Sequence, residues 1–339
     1  MTDVRERAPV YLDNAATTAV DPRVAAEMAA CLTEEGVYGN PSSTTHVYGR
    51  EAARRVEAAR AEVAALIGAQ PGEIVFTSGA TEASNLAILG TARANADRRQ
   101  HLVTARTEHR ATLDPVRQLE KEGFAVTWLT PGPQGRLAVE DVRAALRPDT
   151  LLVSIMHVNN ETGAVQEVAA IGAACRAAGV LFHCDLAQGV GKLPTAFAGQ
   201  IAFGAFTAHK IHGPEGIGAL YFAATARPWL APVMFGRGQE RGLRPGTLPT
   251  HQVVGFGRAC ALAKEEGGAD AIRVGALREA LWRSLAHLPG VSLNSPLAGG
   301  SPAILNVSFE GVEGESLVTA LTEIAISTGS ACSSATAAG

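Results

Sequence analysis

The chain has 339 residues, 47% of them hydrophobic, and a formal net charge of −4. That supplies one large domain and a smaller one, and the low, unclustered charge argues against a nucleic-acid or bilayer surface. No apolar stretch is long enough to span a bilayer, the N-terminus "MTDVRERAPVYLDNAATT" has no apolar signal core, and five cysteines with no Cys-x-x-Cys pair argue against a disulfide framework or a metal site built by this chain alone, so the expected setting is cytoplasmic.

In chain order, "REAARRVEAARAEVAALIG" (50–68) has apolar positions at helical spacing and Gly68 as its stop. Seven short apolar runs then predict strands: "EIVFTSG", "HLVTAR", "AVTWLT", "LLVSIMHV", "VLFHCDLA", "AFGAFTAH" and "IGALYF". Alanine-rich helical stretches separate most of them. Strands alternating with helices imply an α/β fold with a mainly parallel sheet covered on both faces. Beyond about residue 260, a long helix "ADAIRVGALREALWRSLAHL", the run "ILNVSFEG" and the helix "EGESLVTALTEI" predict a smaller α+β unit. Cys31, Cys175 and Cys260 fall in helical patterns and Cys184 in an apolar strand, all consistent with packing.

In an open α/β sheet the ligand crevice lies outside the carboxyl ends of the strands. Five predicted strands deliver polar or small residues there: Gly79-Ala80-Thr81, His109, Asn159 and Asn160, Asp185 with Gln188, and Thr207, His209 and Lys210. Each alone has a plain structural reading, as a cap, a turn or a surface group. Together their chemistry is complementary. Backbone N–H groups opening a helix at 79–81, with the hydroxyls of Thr81 and Thr207, suit a phosphate. Asp185 suits a protonated ring nitrogen, and a lysine ending a buried strand suits a Schiff base, since burying an unpaired ammonium is costly. Phosphate, pyridinium and aldehyde together describe pyridoxal 5'-phosphate. A dinucleotide site is disfavoured, because "GRGQERG" neither matches G-x-G-x-x-G nor follows a predicted strand, and no P-loop is present.

Several longer segments carry a resemblance over nearly the whole chain: "YLDNAATT", "GNPSSTTHVYGR", "EIVFTSGATEASNLAI", "TEHRAT", "SIMHVNNETGAVQ", "HCDLAQGVGKLP", "HKIHGPEGIGALY", "RPGTLPTHQVVGFG", "ILNVSFEGVEGESL" and "TGSACSS". The sequence resembles the NifS/IscS-like cysteine desulfurases, class V members of the fold-type I pyridoxal-phosphate enzymes. The resemblance implies a large cofactor-binding domain (21–260) and a small domain (1–20 and 261–339). It implies that Lys210 bonds the cofactor aldehyde, Asp185 holds the pyridine nitrogen, and His109 stacks on the ring and moves protons. Asn160 and Gln188 face the ring substituents. Ala80, Thr81, Thr207 and His209 hold the phosphate, and Thr247 reaches the phosphate of a second subunit. Cys332 matches the sulfur-accepting nucleophile. L-cysteine, a homodimer and a sulfur-acceptor scaffold protein for iron–sulfur clusters are the implied partners.

Two departures stand out. Ala208 occupies a position where the family has glycine before its His-Lys pair, a change expected to be tolerated. Relatives also continue several dozen residues beyond the cysteine loop and supply an arginine for the substrate carboxylate, whereas this sequence stops at Gly339. A fragment, an omitted tail or a completing partner each fit that ending, with Arg237, Arg241 or Arg244 as other candidates for the carboxylate. Other class V activities, a transaminase or a selenocysteine lyase, and an inactive binding subunit remain alternatives at this level.

Overall fold

The computed structural model of the chain describes residues 8–194 and 196–328. Its elements run β1 (Val10–Tyr11), α1 (Pro22–Ala29), α2 (Val47–Ile67), β2 (Ile74–Thr77), α3 (Ala80–Ala94), β3 (His101–Ala105), α4 (Arg110–Lys121), β4 (Ala125–Leu129), α5 (Val139–Ala145), β5 (Thr150–Ser154), α6 (Val168–Ala177), β6 (Leu181–Asp185), β7 (Phe203–Thr207), β8 (Gly218–Phe222), α7 (Thr250–Leu285), β9 (Val291–Leu293), β10 (Val307–Phe309), α8 (Gly314–Ala320) and β11 (Ile324–Ala325).

Each of the seven apolar runs is a strand, and the seven form one sheet in the order β2-β8-β7-β6-β5-β3-β4. All neighbours are parallel except β8, which is antiparallel to both β2 and β7. The link from β7 to β8 is too short for the crossover that a parallel pair needs, so the chain turns straight back. Every residue of β2, β3, β5, β7 and β8 is buried, because helices cover both faces; the edge strand β4 is half-exposed. The result is the mostly parallel sheet between helices that the sequence predicts.

α2 begins at a His46 cap and stops at Gly68, which takes the left-handed φ of 72°. α7 departs from expectation. The helix predicted from Ala269 starts at Thr250 and runs unbroken for 36 residues. Gly255 and Gly257 there act as contact points, not as breakers: a Cβ on Gly257 would lie 2.6 Å from Ala59 of α2, and one on Gly255 2.6 Å from Met28 of α1. The glycines let three helices close up. Cys31 lies in the turn just past α1, outside the helix that its spacing suggested.

After α7 the structure becomes thin. β9 and β10 form an antiparallel pair, and β11 pairs in parallel with β1, which ties the two ends of the described chain together. Apart from Arg278, the buried residues of α7 stop at Leu262. We propose that the boundary between the domains 21–260 and 1–20 with 261–339 lies inside this helix. Among the described residues, no helix is long and apolar enough to cross a membrane.

Candidate active site

The carboxyl edge of β7 opens onto the N-terminal segment. The strand ends at Thr207, and Ala208–Lys210 make one tight 3-10 turn. Lys210 therefore stands three residues past the strand, half-buried, not fully inside it. Its Nζ donates to the carbonyl of Ala15 and, at 2.6 Å, to that of Ala16. The 15–18 stretch is strapped over this turn. Thr18 donates from both N and Oγ1 to the His209 carbonyl at 2.9 Å, and His212 N donates to Thr18 Oγ1 at 2.8 Å. His209 Nδ1 lies 3.1 Å from Thr17 Oγ1; burial, with the Lys210 charge, lowers the imidazole to about 4. Ala208 is completely buried and faces Gly213, where a side chain would come within 2.8 Å of the Ala208 methyl. An alanine fits because its neighbour is glycine.

Asp185 closes β6 and is buried. Burial raises its carboxyl; the Ala187 N–H, 2.9 Å from Oδ1, and the charges of His109 and Lys210 oppose that rise. Glu108 lies beside it and was missed by the sequence reading. It is buried, accepts from Met156 N at 2.9 Å through Oε1, and leaves Oε2 without a partner among the described residues. Burial pushes the Glu108 carboxyl well up, and the Asp185 charge adds to this. Both carboxyls are raised by burial; at Asp185 the Ala187 N–H and the neighbouring positive charges work against that rise, whereas at Glu108 the Asp185 charge adds to it. The only sequence signal was its place immediately before His109. His109 caps α4, its Nδ1 accepting from Ala111 N at 3.1 Å, which puts the proton of a neutral ring on Nε2.

The N-terminus of α3 is the anion end. α3 has no side-chain cap, as is also true of α5, α6 and α7. Ser78 N is taken by Glu82 Oε2 at 2.7 Å, which leaves the Ala80 and Thr81 N–H groups free of partners among the described residues. Thr207 Oγ1 donates to the Ile217 carbonyl at 3.1 Å and sits 3.9 Å from where a Cβ on Gly79 would stand. Arg244 reaches Glu82 at 2.9 Å and Arg241 reaches the Ile74 carbonyl at 2.9 Å, so both already have partners. Thr247 is exposed on the same loop and makes no hydrogen bond to the Lys210 cluster among the described residues.

The paired asparagines divide their work. Asn159 is buried and ties its loop together, accepting from Thr162 N at 2.8 Å and donating to the Thr107 carbonyl at 3.0 Å. Asn160 is half-buried, with Nδ2 2.8 Å from Glu161 Oε1. Gln188 is buried and donates to the Ala15 carbonyl at 2.8 Å, the acceptor that Lys210 also uses. Lys192, not singled out from sequence, donates to Gln188 Oε1 at 3.0 Å; loss of hydration and the Lys210 charge lower it to about 7.

A pyridoxal phosphate matches this donor set. The uncapped α3 turn suits its phosphate, the buried Asp185 carboxyl its ring nitrogen, and the Lys210 amine its aldehyde. Of the five cysteines, four are described, and all four are buried and unbridged. Burial pushes Cys175 up to about 12 and Cys184 and Cys260 well above the ordinary thiol range. Cys332 lies outside the described residues.

Comparison with known proteins gives a consistent picture. The family profile "Aminotransferase class-V" matches residues 10–338. A protein of Pectobacterium atrosepticum named cysteine desulfurase IscS is 52% identical over 328 residues, 96% of this chain and 81% of that protein. A solved structure described as a NifS-like protein superposes with a TM-score of 0.91 at 37% identity, covering 94% of this chain and 87% of its own. The structure of DndA from Streptomyces lividans superposes at 0.82 with 43% identity, covering 93% and 88%.

Proposed function

We propose, starting from a chain that belongs to the cysteine desulfurases of aminotransferase class V, how its own residues divide the work. The activity is pyridoxal-phosphate-dependent removal of sulfur from L-cysteine. The observation that carries the assignment of roles is the convergence of Lys210, the buried Asp185 and the uncapped N-terminus of α3 on one sheet edge.

Bound there, the cofactor supplies an electrophilic carbonyl and a ring that accepts electrons. Lys210 bonds it, and Asp185 keeps the ring nitrogen protonated. Ala80, Thr81, Thr207 and His209 hold the phosphate, while Asn160 and Gln188 face the ring substituents. Lys210 Nζ, once free, takes the proton from the substrate α-carbon. His109, whose Nδ1 is occupied by the Ala111 N–H, would stack on the ring and serve in proton transfer. The Cys332 thiolate attacks the substrate sulfur; the new S–S bond forms as the C–S bond breaks, leaving a persulfide on Cys332 and, after proton return to carbon, alanine. The buried, high-lying thiols of Cys175, Cys184 and Cys260 are poor nucleophiles. Ser327 Oγ bonds Asp13 at 3.0 Å, two residues before the Ala15 carbonyl that Lys210 engages.

Thr247, exposed on a loop tied to the start of α3, completes the phosphate site of a second copy in a homodimer. The persulfide passes to a scaffold protein for iron–sulfur clusters in the cytoplasm.

Borohydride reduction of the protein loaded with pyridoxal phosphate, followed by peptide mass mapping, tests the assignment. The expected label is on Lys210 and disappears in Lys210→Ala, while Cys332→Ala keeps the label but forms no persulfide from L-cysteine. Labelling of another lysine, or persulfide in Cys332→Ala, overturns it.

A further inference from the structure

Gln188 and Lys192 sit four residues apart on the helical turn that follows β6, where Gly189 N and Val190 N both bond the Leu186 carbonyl at 3.0 Å. The two side chains meet across this turn although it is not a regular helix, Gly191 between them taking a left-handed φ of 73°. Lys192 Nζ donates to Gln188 Oε1 at 3.0 Å, and the other end of the amide, Nε2, donates to the Ala15 carbonyl at 2.8 Å. Ala15 is also an acceptor for Lys210.

A glutamine amide can be turned end for end at little cost unless its neighbours choose. Here both do. An amine that donates demands the oxygen, and a carbonyl demands the NH2. When Lys210 leaves Ala15 to bond the cofactor, the carbonyl end of this arrangement changes. The Lys192 end does not. We propose that Lys192 is a positioning residue that acts through Gln188, locking its amide so that Nε2 is presented to the ring of the cofactor on Lys210. This inference rests on the reading of Lys210 as the cofactor lysine.

Lys192 suits the role. Its ammonium is desolvated and lies near the charge of Lys210, which brings it to about 7, yet charged or neutral it keeps an N–H for Gln188 Oε1. The groups facing it include Lys210 and His209, with Glu215 beyond His209, and among these its direct hydrogen bond is to Gln188.

The test compares wild type, Lys192→Met, Lys192→Arg, Gln188→Ala and the Lys192→Met/Gln188→Ala double variant. Readouts are the dissociation constant of pyridoxal phosphate from reconstituted apoenzyme and the position of its visible absorbance maximum. Thermal unfolding of each apoenzyme confirms folding. Lys192→Met should weaken cofactor binding about tenfold, the scale of one charge-assisted hydrogen bond, and move the absorbance in the direction seen for Gln188→Ala. Lys192→Arg, still a donor, should restore both. The double variant should be no worse than Gln188→Ala alone. Wild-type affinity and spectrum in Lys192→Met, or additive losses in the double variant, overturn the role of Lys192 while leaving the cofactor assignment intact. A wild-type protein that takes up no pyridoxal phosphate overturns both.

Discussion

The seven-stranded sheet and the C-terminal unit use similar apolar side chains to different ends. In the sheet, five of the seven strands are buried at every position. In β9, β10, α8 and β11, no residue is fully buried, and Ile272 on the second half of α7 is 78% exposed. Apolar residues stabilise only where a second layer covers them. In the proposed assignment, the groups that would grip the cofactor stand at the edge of the buried sheet. A cofactor grip needs fixed geometry.

The largest expected effect breaks the sheet side. Arg60 of α2 and Glu240 form a buried ion pair at 2.7 Å; Glu240 also accepts from Phe76 N at 2.7 Å, and the Arg60 guanidinium lies 4.5 Å over the Phe76 ring. The pair holds Glu240 and Arg241 at φ of 47° and 58°, a left-handed conformation that side chains disfavour. Glu240→Gln leaves Arg60 charged and poorly paired. Its expected cost is about 3–5 kcal/mol of unfolding free energy, measured by denaturant titration. The Thr247 loop should loosen with it. A loss below about 1 kcal/mol would mean that the loop and the sheet body are not coupled in this way.

Much of the sheet was legible because its strands are short apolar runs bounded by turn residues, a pattern that survives whatever lies above and below. The start of α7 was not legible. Gly255 and Gly257 look like breakers until Ala59 and Met28 are seen pressing against them. The polar edge shows the same division. His109, Asp185 and Lys210 stand at strand ends and announce themselves by position. Glu108 acquires its character from burial and from partners distant in sequence, and Lys192 from burial and the charge of Lys210, so no local pattern marks either as a site residue. Asn159 and Asn160 are adjacent and chemically identical, and only their burial and partners tell them apart.

A pH titration sharpens the comparison at intermediate scale. Burial lowers His157 to about 4 and His183 to about 3, and both lie in or beside the sheet. An unfolded histidine titrates near 6.5, so below that pH the unfolded chain binds protons that the folded one refuses. Stability is therefore full above about 6.5 and falls as the solution is acidified toward 4. Between pH 6.5 and 5.5 each histidine should remove on the order of 1 kcal/mol. Urea unfolding at the two pH values measures the sum. His157→Phe, which keeps a ring against Phe197 at the edge-on contact of 4.9 Å, should remove about a third of the loss, since His209, also lowered to about 4, contributes its own share. A flat profile across this range contradicts the account of burial.

The smallest effect is the most discriminating for the thin unit. Ile272, Leu277 and Leu281 on α7 are exposed, whereas Leu86 of α3 is buried under the sheet. Leu86→Ala should cost about 2–5 kcal/mol, from lost transfer energy and the cavity left behind. Ile272→Ser should change stability by no more than about 0.5 kcal/mol, because the isoleucine already faces water and a β-branched residue contributes little to helix propensity. The two variants, measured side by side in the same denaturant series, put the contrast between the regions on one scale. If Ile272→Ser costs as much as Leu86→Ala, the second half of α7 is covered in solution. The thin unit would then be a second core and not a flexible support.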